Sequence, residues 1–203
     1  MLLTSTFDRL RAAIARFRKG IRESHTVRGF TVVVENTRPD IATADVLERL
    51  DVALALIESY QPWRLEHLRR DLAQIWIVRY PCRGAYYPVQ RACVTELTFL
   101  ARRDISAAPV AASIIHEGMH ARVSQMGVSP ENRNLPREER LCRRAELEFG
   151  QALPPELGGP VIERATESLR LGDDDVAPAI DWQEAGNRQA EIDRAAGASR
   201  QRF

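Results

Sequence analysis

The feature that most constrains the fold is a change of hydrophobic period partway along the chain. Three short apolar runs come first: FTVVVEN (Phe30 to Asn36), QIWIVRY (Gln74 to Tyr80) and RACVTELTFL (Arg91 to Leu100). Each has strand length and is rich in β-branched residues, with Pro and Gly in the segments around it. From Pro109 onward the apolar residues recur at helical spacing. A small sheet followed by helices is an α+β pattern.

The spacing predicts strands near 30–35, 75–80 and 92–99. The connecting PCRGAYYPVQ predicts that the last two pair as an antiparallel hairpin with a long loop. Between the first and second strands, Val46, Leu47, Leu50, Ala53, Leu54 and Ile57 mark a helix that starts near Thr43 or Asp45 and ends at Pro62. A shorter helical segment covers Trp63 to Leu72. Pro109 opens the next helix and Gly127 closes it. Another helix runs from near Pro136 to Pro154, PPELGG marks a boundary, and a last helix starts at Val161. The polar remainder reads as a partly ordered tail.

A chain of 203 residues with 44% hydrophobic and 28% charged content can bury a core without disulfides. The net charge of +1 argues against nucleic acid as a partner, since no phosphate-neutralising excess exists. The three cysteines, Cys82, Cys93 and Cys142, form no CxxC pair and read as reduced thiols. With neither an apolar signal-peptide core nor an 18-residue apolar run, the expected location is cytoplasmic.

The N-terminal segment has its own shape. Leu3, Phe7, Leu10, Ile14 and Phe17 form an apolar helical stripe, with Arg9, Arg11, Arg16, Arg18, Lys19 and Arg22 opposite. A basic amphipathic helix of this kind can lie on an anionic membrane surface, and docking on its own domain accounts for the same stripe.

The chemistry-bearing stretch is SIIHEGMHARV, which sets His116 and His120 four apart with Glu117 beside the first. On a helix, side chains four apart stack on one face, so both imidazoles can aim at one point. Glu117 lies about 100° around the helix from His116, beside a bound metal rather than on it. That is the position of a general base acting on water that a metal has acidified. Gly118 costs about 1 kcal/mol of helix propensity relative to alanine, which points to a close approach there.

A catalytic zinc site has three protein ligands and an open position, so a third ligand is needed downstream. Val123 and Met126 stand where the three-histidine HExxHxxGxxH pattern requires Gly and His. Glu139 follows His120 by 19 positions, giving HExxH-x18-E, with Leu141 and Cys142 after it. This arrangement, spanning 108–154, resembles the gluzincin zinc metallopeptidases, and is similar to small HExxH-containing proteins of uncharacterised activity. The resemblance implies a zincin-like domain with a small sheet packed on an active-site helix and a ligand-bearing helix. It implies His116, His120 and Glu139 as Zn2+ ligands and Glu117 as catalytic base. It further implies hydrolysis of a peptide or protein substrate.

The residues alone leave the third ligand open. On a helical wheel the apolar stripe is Leu141, Ala145, Phe149 and Ala152, with Cys142 and Leu153 at its edge. Glu138 points into that stripe, whereas Glu139 lies to one side with Glu146. Glu146 is placed to support a ligating histidine from behind. Tyr86, Tyr87, His67 and Arg143 are candidate donors to the oxyanion that peptide hydrolysis generates. His25 reads as a solvated linker residue. The RACVTELTFL strand is a candidate edge for pairing with an extended peptide, or an ordinary core strand.

The expected organisation is a basic helix over 1–28, a zincin-like domain over 29–154, and a C-terminal helix and tail over 155–203. The expected function is zinc-dependent peptide hydrolysis. A non-catalytic zinc-binding module on the same scaffold is the alternative.

Overall fold

The computed structural model describes residues 22–127, 133–177 and 181–200. The amphipathic stripe of the first 21 residues lies outside them. Strand β1 (Arg22–Val27) continues through a tight turn into β2 (Phe30–Glu35). Arg28 and Gly29 both take positive φ, 45° and 82°, the turn geometry that fits the right-handed twist of a two-residue hairpin. His25 therefore sits on an antiparallel strand beside Glu23, at 3.2 Å, rather than in a linker. β1 also takes up residues 22–27 of the segment assigned to the basic helix. Its sequence, RESHTV, is polar because it is an exposed outer strand, which hid it from hydrophobic pattern.

Helices α1 (Thr43–Tyr60) and α2 (Pro62–Asp71) carry the chain over one face of the sheet to β3 (Gln74–Val78). That crossover makes β2 and β3 parallel. Next come β4 (Gly84–Tyr87) and β5 (Ala92–Glu96), giving the sheet order β1-β2-β3-β5-β4. The expected hairpin of QIWIVRY with RACVTELTFL is corrected here. β3 and β5 run parallel, and the hairpin is between β4 and β5. The residues taken for a long loop contain the strand β4, which runs out to the sheet edge and returns. β5 is consequently an inner strand with all five residues buried, and β4 is the edge.

β5 ends at Glu96 because that carboxylate caps the short helix α3 (Leu97–Leu100), accepting from the Phe99 amide at 2.7 Å. Helix α4 (Ala108–Gln125) then packs on the sheet face built by Val32, Val34, Ile75, Ile77 and Cys93. Its first turns are buried nearly all round, as a helix between a sheet and other helices must be. Gly118 has a packing reason: a Cβ there would lie 2.2 Å from Leu68 Cδ2 of α2.

Helix α5 (Leu135–Ala152) begins at Asn134, whose side chain accepts from the Arg137 amide at 2.9 Å. Its buried face holds Glu138, Cys142, Ala145, Glu146 and Phe149. The expected stripe is thus rotated: Leu141 and Ala152 are exposed and Cys142 is central. Two glutamates occupy core-facing positions, so polarity misreports the face. PPELGG opens helix α6 (Pro155–Leu169) instead of separating units, and α6 packs along α5. Short α7 (Asp173–Val176) precedes α8 (Trp182–Arg200), whose Trp182 meets Tyr80 beneath the other sheet face, ring centroids 5.9 Å apart. Among the described residues, no helix is long and apolar enough to cross a membrane.

Candidate metal centre

His116 and His120 project from one side of α4 toward α5, their Nε2 atoms 3.2 Å apart. Each ring is gripped from behind by a glutamate of α5. Glu146 Oε1 lies 2.6 Å from His116 Nδ1, and Glu138 Oε1 lies 2.7 Å from His120 Nδ1. An ionised carboxylate only accepts, so each Nδ1 carries the donated proton and each Nε2 faces inward, where it holds either a metal or a proton shared with a carboxylate. Glu139 closes the group. Its two oxygens lie 3.2 Å from His120 Nε2 and 3.3 Å from His116 Nε2.

Two imidazole lone pairs and a carboxylate therefore converge on one point, an arrangement that demands a cation. Without a metal, protons fill that role. Burial pulls His116 down, but hydrogen bonds to Glu139 and Glu146 outweigh it and raise the group to about 10. His120 is likewise raised against burial by Cys142, Glu138 and Glu139. Burial pushes Glu139 up, yet the two histidines hold it well below the usual carboxylate range.

The donor set also fits zinc. Tetrahedral coordination at bond lengths of about 2.0–2.2 Å puts N and O donors about 3.3–3.6 Å apart. Of the observed separations, 3.3 Å lies at the short end of that range and the two of 3.2 Å fall just below it, the two Glu139 contacts being made by different oxygens. Cys142 adds a further donor. It is fully buried, one turn beyond Glu139 on α5, and its sulfur groups with the two imidazoles so that all three ligand atoms lie within 4.8 Å of one another. Glu139 lies well inside that limit from both imidazoles and is partly open to solvent, while Cys142 is fully buried. The sequence presents Cys142 as a reduced thiol at the edge of the apolar stripe and not as a metal donor. Its spacing from both Glu138 and Glu139 places it on the same helical face.

Glu138 and Glu139 thus take different positions. Glu138 meets the outer nitrogen of His120, and Glu139 meets both inner ones. Glu146 stands behind His116 as its position suggested, and also accepts from Arg143 at 2.6 Å.

Glu117 is buried on the adjoining face of α4, toward β4. A Cβ at Gly84 would come within 2.9 Å of Glu117 Oε1 and 3.1 Å of Ser113 Oγ. The glycine lets the edge strand pass directly over this carboxylate. Burial pushes Glu117 up, while His116 and His120 draw it down, leaving it net raised. A raised carboxyl is a better proton acceptor once ionised.

Of the four expected oxyanion donors, Tyr87 and His67 lie elsewhere. Tyr87 faces the opposite side of the sheet and donates to the Tyr80 hydroxyl at 3.3 Å. His67 rests edge-on against Trp63, beside a groove formed by Leu68, Ile115 and Met119 on another side of α4. Tyr86 shares the helix-side face with Gly84, and its buried hydroxyl has no hydrogen-bond partner among the described residues. Arg143 is engaged by Glu146 behind His116. Comparison of the chain with protein-family models, curated proteins and solved structures finds no match in any of the three.

Proposed function

We propose that the protein is a zinc-dependent hydrolase of peptide bonds, built on a zincin-like domain with a gluzincin ligand set. The observation that carries this reading is the meeting of His116 Nε2, His120 Nε2 and the Glu139 carboxylate beside the buried, proton-accepting Glu117. Bound zinc would polarise the scissile carbonyl and acidify the attacking water. Glu117 takes the proton from that water and passes it to the departing amine. Glu138 and Glu146 hold the two imidazoles in the tautomer that binds metal. Tyr86, with a buried hydroxyl in need of a partner, donates to the carbonyl oxygen as it gains charge. Edge strand β4 takes the role first assigned to RACVTELTFL: an extended peptide pairs along it and brings its backbone past Glu117.

Glu117→Gln tests the reading. It should keep zinc at the wild-type stoichiometry while cleavage of unfolded casein falls by about 100- to 10,000-fold. A zinc-loaded wild type that cleaves neither casein nor a broad peptide library would defeat it.

Cys142 favours a second reading, a zinc-binding module with little turnover. If its thiolate joins His116, His120 and Glu139, the four protein donors leave no open position for water. Cobalt substitution separates the two. A near-ultraviolet thiolate-to-cobalt band that disappears in Cys142→Ser supports the closed centre, and no such band in wild type supports the open one.

A further inference from the structure

The sheet has two faces, and only one is fully covered among the described residues. Helix α4 packs on the first. On the second, α8 is held near the end of β3, where Trp182 meets Tyr80 and Asp193 binds Arg79. Beside it a cavity crosses the sheet. Its floor is Val33, Trp76 and Val94, adjacent in the register of β2, β3 and β5. Tyr87 bounds it toward β4, its ring centroid 5.6 Å from that of Trp76, and the Arg22–Glu35 pair bounds it toward β1.

Val33 and Trp76 are nonetheless partly exposed. Both stand on the parallel trio β2-β3-β5, and Trp76 lies on the middle strand of the whole sheet. Parallel strands are ordinarily covered on both faces, and apolar area left in water costs about 25 cal/mol per Å2. This floor is short of a cover.

The chain supplies one of the right kind. β1 begins at Arg22, which lines the cavity, so residues 1–21, outside the described part of the structure, join the fold at its rim. Their apolar stripe runs from Leu3 to Phe17. At helical rise that distance is about 21 Å, against about 19 Å across five strands spaced about 4.8 Å apart. A segment tethered at the rim also has an effective concentration on the order of millimolar, an advantage that no separate molecule has.

We propose that this face is the docking surface for residues 1–21, with the stripe of Leu3, Phe7, Leu10, Ile14 and Phe17 laid across β2, β3 and β5. The tether sets the direction. Phe17 covers Val33 beside Arg22, and Phe7 reaches toward Tyr87 near the far edge. Arg9, Arg11, Arg16 and Arg18, opposite the stripe, stay in water. The proposal is independent of what the histidine centre does.

Photo-cross-linking of the full chain tests it, with benzoylphenylalanine placed at position 17 or at position 7. Digestion and mass spectrometry should recover the position-17 adduct on the peptide carrying Val33 or on the one carrying Trp76. The position-7 adduct should fall on the peptide carrying Tyr87. Both should persist when vesicles of phosphatidylcholine and phosphatidylserine are added. A second measurement reads the floor itself. With Trp63→Phe and Trp182→Phe, Trp76 is the sole tryptophan, and adding Ile14→Asp and Phe17→Asp should raise its quenching by acrylamide severalfold. Adducts on lipid would assign the stripe to a membrane surface, and covalent dimers would assign it to a second copy; either overturns the proposal. So do adducts confined to other parts of the chain, or Trp76 quenched equally with and without the two charge substitutions.

Discussion

Charges are buried on both faces of the sheet, and the two sets are built on different rules. On the face beneath α8, the cations meet carboxylates. Arg79 pairs with Glu96 and reaches Asp193 Oδ1 at 2.9 Å, Arg38 reaches the same oxygen at 2.8 Å, and Arg22 meets Glu35 at 3.1 Å. These pairs complete themselves: Arg79 and Arg38 tie α8 to the segments that follow β3 and β2, Arg79 also holding the end of β5, and Arg22 ties β1 to β2. At the histidine centre the groups do not complete one another. Glu138 and Glu146 take the outer imidazole protons, and the inward Nε2 atoms and Glu139 are held together only by further protons or by a metal that displaces them. A self-neutralised network serves the fold, whereas one that lacks a cation serves a ligand.

The largest effect that separates the two regions lies in Arg79. Arg79→Met leaves Glu96 and Asp193 without their shared cation and should cost about 3–5 kcal/mol of stability in urea denaturation. Zinc stoichiometry at saturating metal should not change. A loss of zinc in this variant would break the distinction between the two faces.

How far the centre could be read from sequence follows from the same contrast. HEGMH was legible because helical spacing fixes which side chains share a face, whatever surrounds them. Glu139 came from the resemblance to the HExxH-x18-E pattern and not from the wheel, which turned Glu138 inward. Placing Glu138 against Glu139 required the facing helix, since a wheel centred on Leu141 puts Glu138 inward but cannot say which imidazole nitrogen it meets. Cys142 was hidden by its resemblance to a core residue. Helices α1, α2, α4 and α5 emerged from period alone. Helix α6 begins before its expected start at Val161, because its PPELGG looks like a break although Pro is tolerated in a first turn. Helix α3 lies at the end of an expected strand, and α7 and α8 fall in the segment expected to be a partly ordered tail. The sheet was harder. β1 carries little apolar signal, and the parallel pairing of β3 with β5 depends on where β4 goes, which no local pattern in PCRGAYYPVQ specifies.

A smaller effect sharpens the account of the centre. Glu138→Gln and Glu146→Gln keep the shape of the carboxylates but weaken their pull on the Nδ1 protons. Each should lower zinc affinity by about 10- to 100-fold in competition with a chelator. Folding should survive in both. Affinity unchanged in both would mean that the glutamates behind the rings are merely the counterparts of Glu96 on the other face.

The smallest effect per step is in pH, and it runs in opposite directions with and without metal. In the metal-free protein His116 is raised from 6.5 to about 10, so its stabilisation is fully present below pH 6.5 and drains away as pH rises through about 10. Glu139 is depressed from 4.5, so its share is present above pH 4.5 and is lost only as pH falls through its lowered value. Stripped protein should therefore lose stability steadily above pH 6.5, by at most about 1.4 kcal/mol per pH unit for one proton. Zinc must displace those same protons, so its affinity should climb across the same interval. The gap in melting temperature between zinc-loaded and stripped protein should widen from pH 6.5 toward 10, while Arg79→Met, with its arginine network on the other face, shifts both curves down without altering that gap. A gap that stays constant with pH would show that metal and protons do not compete for the imidazoles, and that the inward lone pairs are not what holds the cation.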